Sequence, residues 1–202
     1  MKTKTLDTEI VFRDLTRANK KIRHQHKNPD AVRRWFTSFV TNSQKLTDTM
    51  RKEYNELTGR KWEASTFTGW TPITNLIKKL RNTDLHELPI RIRLLQTQVY
   101  HGFEAETNKP VEMRVQMGYT SEAGLEKGIP GEFAVEDLNQ KQMLTPQERE
   151  LEFQVEGIIA EIEKMIEKAA MRDVHALTAE CYRTLSQYYG FYETELAANR
   201  KA

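Results

Sequence analysis

The chain is short of the residues that anchor metals, disulfides and membranes. It has one cysteine, Cys181, among 202 residues, so it forms neither an intramolecular disulfide nor a zinc site built on several cysteines. No apolar run approaches the roughly 20 residues that span a bilayer, and the first residues contain no apolar signal core. These absences exclude cystine-stapled and zinc-finger scaffolds, and we expect a cytoplasmic protein without a membrane partner.

Sequence motifs for several common chemistries are also missing. The chain contains no glycine-rich phosphate loop, no Gly-x-Ser-x-Gly nucleophile turn and no His-Glu-x-x-His zinc helix. His24 and His26 are two residues apart, which places them on different faces of a helix, and Cys181 lies on an apolar stripe. We therefore expect no metal ion and no cofactor, and we expect any catalysis to use side chains alone.

A strong asymmetry of charge is present. The net charge is +2, yet residues 1 to 103 carry 20 Lys+Arg and 10 Asp+Glu, a net +10, while residues 104 to 202 carry 11 and 19, a net −8. A basic half is common in proteins that bind a polyanion, most often nucleic acid. The alternative is that the two halves pack together and partly neutralise each other.

The spacing of apolar residues predicts two amphipathic helices at the start of the chain. An apolar stripe with a period of about 3.6 runs through residues 7–26, and a longer one runs through residues 29–58. Asn28 and Pro29 are typical of a helix start, because Asn caps free backbone N–H groups and Pro fits the first helical position.

A third, shorter helix is predicted after a loop. Residues 60–69 have no clean period, and we expect them to form a loop that packs on the core. Pro72 follows a threonine and begins the next apolar stripe. This helix must end at or before Leu88, because Pro89 disfavours helical geometry at the residue that precedes it.

After Pro89 the apolar period changes to two, which predicts β-strands. Residues 90–94 and 111–119 each alternate apolar and polar side chains, and a polar loop around residues 101–110 joins them. They form an antiparallel hairpin, inserted at about residues 90–135. Because a lone hairpin is marginally stable, it should pack on helices, gain a third strand such as residues 133–135, or pair with another subunit.

The C-terminal region is predicted to be helical. Residues 145–148, Thr-Pro-Gln-Glu, form a capping box with proline at the first helical position, and an apolar stripe follows through residues 151–169. Another stripe runs through residues 174–190, and whether Arg172 and Asp173 divide the two is left open. The predicted fold is mainly α, a single domain of about five helices with a β-hairpin inserted after the third.

One segment at the end of the third helix holds residues of catalytic type. Arg81 is followed directly by Asn82 and, after a short gap, by His86. This pattern resembles the signature of the HEPN superfamily, helical domains in which Arg, a polar residue such as Asn, and His form the site of metal-independent endoribonucleases. The resemblance covers the motif and its helical setting. It implies a homodimer whose two Arg-His sets face one cleft, RNA as substrate, a toxin-antitoxin or antiviral defence setting, and a protein inhibitor or antitoxin as a partner.

These residue types suit metal-independent RNA cleavage. Histidine exchanges protons near neutral pH, and arginine stabilises the charge that builds on a phosphate. Asn82 and His86 are four residues apart and share a helix face. Arg81 and His86 diverge by about 140° on an ideal helix. The long arginine side chain, a distorted helix end or a partner subunit must therefore bring them together.

The motif also permits other interpretations. In one of them, Arg81 pairs with Asp84 or Glu87 at the helix end and His86 caps the helix. A non-catalytic RNA-, nucleotide- or protein-binding module on the same scaffold is the alternative function, and an assembly protein driven by the C-terminal helices is a third. Four basic residues flank the motif and either follow an RNA backbone or form a solvated face: Lys78, Lys79, Arg91 and Arg93.

Overall fold

The protein is helical at both ends, with its strands between the third and fourth helices. The computed structural model describes residues 6–25, 28–86, 89–103, 107, 109–120, 135–137, 142–144, 148–157 and 159–200. Of a few residues in these ranges, Leu85 and His86 among them, the backbone alone is described. These ranges contain five α-helices: α1 (Asp7–Arg23), α2 (Pro29–Thr58), α3 (Pro72–His86), α4 (Ala160–Ala169) and α5 (Val174–Asn199). The prediction of a mainly α fold with about five helices is confirmed.

The helix ends follow the chemistry of their terminal residues. The side chain of Asn28 accepts a hydrogen bond from the backbone N–H of Ala31 at 3.0 Å, and Pro29 occupies the first position of α2. Gly59 ends α2 in the left-handed conformation, with φ 70°, which glycine adopts without steric cost. The predicted 29–58 helix is therefore confirmed.

Arg172 and Asp173 lie between two separate helices, which answers the question that the apolar stripes left open. Ala170 ends α4 with φ 49°. The carboxylate of Asp173 then caps α5 by accepting from the N–H of Ala176 at 2.7 Å. The final helix continues past Gly190 to Asn199, beyond the end of its predicted stripe.

A residue of α2 caps the start of α1. Leu6, at the N-cap, provides no side-chain hydrogen bond, and the N–H of Thr8 instead donates to Glu53 Oε2 at 3.3 Å. The hydroxyls of Thr8 and Tyr192 donate to Glu53 Oε1 at 2.5 and 2.8 Å. All three side chains are buried. This network joins α1, α2 and α5.

The loop between α2 and α3 packs on the core, as predicted. Trp62 is buried and donates its indole N–H to the hydroxyl of Tyr188 at 2.6 Å. Residues Ala64–Thr66 form one turn of 3-10 helix. Phe67 packs against the ring of Tyr188 with the ring centroids 5.3 Å apart.

The strands include a three-stranded antiparallel sheet with β1 (Ile92–Phe103) in the centre. On one side β1 pairs antiparallel with β2 (Pro110–Thr120), as predicted. The strands nevertheless form a three-stranded sheet and not the predicted hairpin, and β1 continues to Phe103, into the predicted loop. On the other side it pairs with β5 (Glu148–Val155). Leu94 lies opposite Phe153, and both belong to the core formed by the helices. The sheet is therefore attached to the helices through its central strand and β5.

The prediction of a helix that begins at residues 145–148 is wrong. Residues 148–155 form β5, and α4 begins only at Ala160. Leu151 and Val155 are four residues apart, a spacing that fits both a helix face and a strand face. The strand conformation prevails because every residue of β5, from Glu148 to Val155, pairs with a residue of β1. Residues 145–147 lie outside the described ranges.

Residues 133–135 do not supply the third strand of this sheet within the described part of the chain. Strand β3 (Val135–Asp137) pairs with β4 (Gln142–Leu144) in a separate two-stranded ladder, while residues 133 and 134 are not described. The strand-bearing region extends to Val155, past the predicted boundary near residue 135. Among the described helices, none combines the length and the apolar character needed to cross a membrane.

Candidate functional site on the third helix

Helix α3 has one apolar and one polar side. The hydroxyl of Thr74 donates to the carbonyl oxygen of Thr71 at 2.6 Å and accepts from its N–H at 3.3 Å, which fixes the first turn. The apolar side is buried in the core and consists of Ile73, Leu76, Ile77 and Leu80. At about 100° per residue, Lys78, Arg81 and Asn82 lie within one 100° sector on the opposite side. We call these three residues the α3 stripe.

Within the α3 stripe, Arg81 and Asn82 are in direct contact. Arg81 Nη1 donates to Asn82 Oδ1 at 3.2 Å, and both side chains are half-buried. Arg81 Nε is buried and has no hydrogen-bond partner among the described residues. The carboxylate of Asp84 accepts from the N–H of Ile90 at 2.9 Å, so it caps the chain that leaves the helix. In the described part of the chain, the alternative ion pair between Arg81 and Asp84 is not formed.

His86 is the last residue of α3, and its backbone is helical. Its side chain is not described. Because the helix stays continuous from Arg81 to His86, the five-residue spacing keeps its divergence of about 140°. A distortion of the helix between the two residues therefore does not bring them together.

The four flanking basic residues lie in three different settings. Lys78 is exposed on the α3 stripe. Lys79 lies off the stripe and forms a 2.6 Å ion pair with Glu161 at the start of α4. Arg91 and Arg93 lie at the base of the sheet, where they line a polar cavity of about 370 Å³. The predicted basic face is thus divided between helix and sheet.

The cavity at the base of the sheet also contains Arg172, which the sequence marked only as an interruption between two helices. Arg172 Nη1 and Nη2 donate to the two carboxylate oxygens of Glu163, and Nη1 also donates to the carbonyl oxygen of Val155 at 3.4 Å. Glu163 and Glu156 bring two negative charges to the three arginines that line this cavity. Among the described residues, no group of three or more His, Cys, Asp or Glu side chains is arranged to hold a metal ion.

A second cavity, of about 210 Å³, lies between α2, α3 and α5, beside the α3 stripe. Its floor is buried and mostly apolar, and includes Cys181 and the hydroxyl residue Ser43. Burial raises the pKa of the Cys181 thiol to about 12, so the thiol stays protonated at neutral pH. The rim is polar or aromatic: Gln44, Thr47, Arg51, Trp70, Asn75 and Lys78. Sequence reasoning missed this cavity because its lining comes from separate segments with no local motif, and Lys78 was the sole rim residue it singled out.

The comparisons with known proteins give no family for this chain. No protein-family model, no curated protein and no solved structure matches it. Its function is therefore argued from the α3 stripe, from the helix end at His86 and from the two cavities beside them.

Proposed function

We propose that the protein is a metal-independent endoribonuclease of HEPN type that acts as a homodimer. Arg81 stabilises the charge on the phosphate, His86 is the general acid/base, and Asn82 positions its neighbours. The observation that supports this most is the state of Arg81. It lies half-buried on the polar side of α3 and has no carboxylate partner among the described residues, so the protein does not neutralise the positive charge that a phosphate would meet.

The proposed reaction needs no group beyond these side chains. The 2′-hydroxyl of the RNA attacks the adjacent phosphorus, the bond to the 5′-oxygen breaks, and the products are a 2′,3′-cyclic phosphate and a 5′-hydroxyl. A histidine accepts the proton of the 2′-hydroxyl while water protonates the leaving 5′-oxygen, or it donates its own proton to that oxygen while water takes up the proton of the 2′-hydroxyl. The guanidinium of Arg81 donates to the non-bridging oxygens, where negative charge accumulates.

A second copy of the chain brings together an arginine and a histidine, which a single helix α3 holds apart. Arg81 and His86 diverge on a continuous α3, so two copies of the motif facing one cleft would place an arginine from one subunit near a histidine from the other. The pairing of subunits is a proposal that rests on this divergence and on the family resemblance. RNA is the proposed substrate. The defence setting and the inhibitor remain expectations from the resemblance alone.

Cleavage of total RNA in the presence of EDTA tests the proposal. We expect wild type to cleave and to leave 2′,3′-cyclic ends, and Arg81→Ala and His86→Ala to lose a factor of about 100 or more in rate. Lys79→Ala is the matched control, because this lysine lies on the same helix but is paired with Glu161. Full activity in His86→Ala, with folding confirmed by circular dichroism, would show the proposal to be wrong.

Mixing two inactive variants tests the shared cleft. If each site combines Arg81 of one subunit with His86 of the other, an equal mixture of Arg81→Ala and His86→Ala regains about a quarter of the wild-type activity through random pairing. A mixture as inactive as its components would contradict a site shared in this way.

A non-catalytic binding module is the second candidate function, and the cavity beside Lys78 favours it. It predicts that RNA is bound but never cut, and that binding weakens steeply as salt rises, since phosphate contacts release counterions. Removing the charges of Arg91 and Arg93 should then weaken binding. Binding that is indifferent to both changes would count against this role of the arginines.

A further inference from the structure

The cavity between α2, α3 and α5 opens on the side of α3 that carries the α3 stripe. Thr74 and Lys78 line the cavity, and helical geometry places both within the same sector of about 100° as Arg81 and Asn82. Along the axis, Lys78 precedes Arg81 by about 4.5 Å. A nucleic-acid strand bound along the stripe therefore passes the mouth of the cavity.

The size and floor of the cavity suit a single ring system. Its volume is about 210 Å³, and apart from Ser43, whose hydroxyl donates to the carbonyl oxygen of Phe39, its buried lining is apolar: Val40, Ile77, Cys181 and Leu185. A protein cavity of about 150 Å³ accommodates benzene. This cavity is therefore large enough for a nucleobase but too small for the attached sugar and phosphate, which would remain at the mouth.

Trp70 forms a fixed aromatic wall at the rim. Its indole N–H donates to the carbonyl oxygen of Ala64 at 2.9 Å. Its ring packs on Tyr188 with centroids 4.6 Å apart, and edge-on against Phe67 at 5.3 Å. The side chain is still 36% exposed. A held ring with an accessible surface is the kind of platform on which bases stack.

The rest of the rim offers polar groups of two kinds. On the α2 side, Asp48 accepts from Gln44 Nε2 at 3.0 Å and from Arg51 Nη1 at 3.3 Å, which holds both side chains in place. On the α3 side, Asn75 and Lys78 are exposed, and the described part of the chain provides neither with a hydrogen bond or ion pair. An amide can read a base edge, and an ammonium group can contact the phosphate that follows.

We propose that this cavity receives one RNA base and thereby selects the nucleotide next to the cleaved bond. The selection of a cleavage site rests on the proposed ribonuclease function, whereas base binding does not. The base stacks on Trp70 above the apolar floor, Asn75 contacts its edge, and Lys78 directs the adjoining phosphate toward Arg81.

Binding of the four nucleoside 5′-monophosphates, measured by calorimetry, tests the cavity apart from any cleavage. We expect one or two of them to bind about tenfold more tightly than the others, and Thr47→Leu, which fills the rim, to abolish this difference. Thr49→Leu is the matched control, because Thr49 lies on the same helix and lines a different surface. Trp70→Leu should weaken binding by about tenfold and Trp70→Phe should restore much of it, as expected for stacking.

Cleavage of four RNAs that differ in one base at a mapped site tests the selection. We expect wild type to prefer one or two of them, and Thr47→Leu and Trp70→Leu to reduce that preference while Thr49→Leu retains it. The outcomes distinguish the two proposals. If RNA is cleaved but these variants alter neither monophosphate binding nor base preference, the base-binding proposal is wrong and the ribonuclease proposal is unaffected. If the monophosphates bind in the cavity and no RNA is cleaved, the ribonuclease proposal is wrong and the base-binding proposal is unaffected. Absence of monophosphate binding overturns the base site.

Discussion

Two ionisable residues, Asp173 and His175, join the start of α5 to the end of α1 and to the sheet. His175 Nε2 lies 3.1 Å from the carbonyl oxygen of Gln25, and its ring meets Phe153 edge-on at 5.6 Å. The Asp173 carboxylate, 3.8 Å from Nδ1, raises the pKa of His175 above its ordinary value, although burial of the ring acts in the opposite direction. Burial alone would raise the pKa of Asp173, but the nearby His175 imidazole and the hydrogen bond from the N–H of Ala176 lower it overall.

These shifts predict how stability depends on pH. The pKa of His175 is raised on folding. Its contribution to the free energy of unfolding is therefore complete below the ordinary pKa of about 6.5 and is lost as pH rises through the pKa of the folded state. Asp173 has a lowered pKa, so its contribution to stability is constant above pH 6.5 and is lost only in acid. We expect the urea midpoint of wild type to fall over the window above pH 6.5, and His175→Gln to remove that part of the slope.

The control for this experiment is an exposed histidine outside the cluster. His24 lies at the end of α1 with an exposed side chain. His24→Gln should keep the wild-type slope. If His175→Gln and wild type have identical slopes, the coupling between His175 and Asp173 does not contribute to stability.

The candidate site shows what can be recognised from single residues. Arg81 and Asn82 were found because a local motif contains both, and the structure brings their side chains into contact. Thr47 and Trp70 lie on different elements and meet only in the folded chain, so no spacing in the sequence connects them. A residue whose partners are local in sequence can be predicted, whereas one whose partners are distant cannot.

At the scale of elements, substitution of each of two glycines by alanine should change the free energy of unfolding in opposite directions. A Cβ at Gly157 would lie 2.8 Å from the Cα of Glu163, a backbone atom that cannot turn aside. Gly157→Ala should therefore lower the free energy of unfolding by about 1–3 kcal/mol through overpacking at the start of α4. At Gly190, inside α5, a Cβ would meet no atom of the described residues within 4 Å. Gly190→Ala should raise the free energy by about 0.5–1 kcal/mol, because alanine loses less backbone entropy.

Guanidinium denaturation of the two variants beside wild type measures both effects in one series. Equal destabilisation by the two substitutions would contradict the argument, since it would mean that loss of glycine itself, rather than the contact with Glu163, determines the result.

The elements also show where apolar periodicity is enough to predict the secondary structure and where it is not. α2 was predicted at its observed bounds, because thirty residues of helical period with a cap and a C-terminal glycine have no competing interpretation. Residues 148–155 carry a short apolar pattern that fits either period. Their strand conformation depends on hydrogen bonds to β1, whose paired residues are 49 to 63 positions away in sequence. A long element is determined locally, and a short one by its partner.

At the scale of the whole molecule, one core runs through all five helices and the base of the sheet. Phe153 of β5 is 1% exposed and packs with Leu94 and with residues of the helices. Phe153→Ala should lower the free energy of unfolding by about 3–5 kcal/mol. Hydrogen exchange should show lost protection in α2 and α5 as well as in the strands, because the core is shared.

The matched control for Phe153 lies at the far end of the sheet. Val111 of β2 is 44% exposed. Val111→Ala should change the free energy of unfolding by no more than about 0.5 kcal/mol. If Phe153→Ala reduces protection in the strands while the helices keep theirs, sheet and helices are independent folding units and the shared core does not couple them.

The fold shows where the basic charges of the first half and the acidic charges of the second half lie relative to each other. The basic first half and the acidic second half are in contact, and the ion pair between Lys79 and Glu161 joins them. This supports the interpretation that packing neutralises part of the asymmetry. Lys78, one residue earlier, stays on the polar side of the same helix. Two adjacent lysines of α3 thus differ in role: Lys79 neutralises an acidic residue of the second half, and Lys78 adds positive charge to the surface.

The amino-acid sequence by itself determined the class of fold, the extents of the first three helices to within a few residues, and the Arg-Asn-His motif, because each depends on contacts between residues close in the chain. Only the tertiary structure decided the third strand, the division between α4 and α5, the separation of the flanking basic residues and the cavity beside Lys78. These depend on surfaces that meet across long stretches of chain, and no local period records which surfaces will meet.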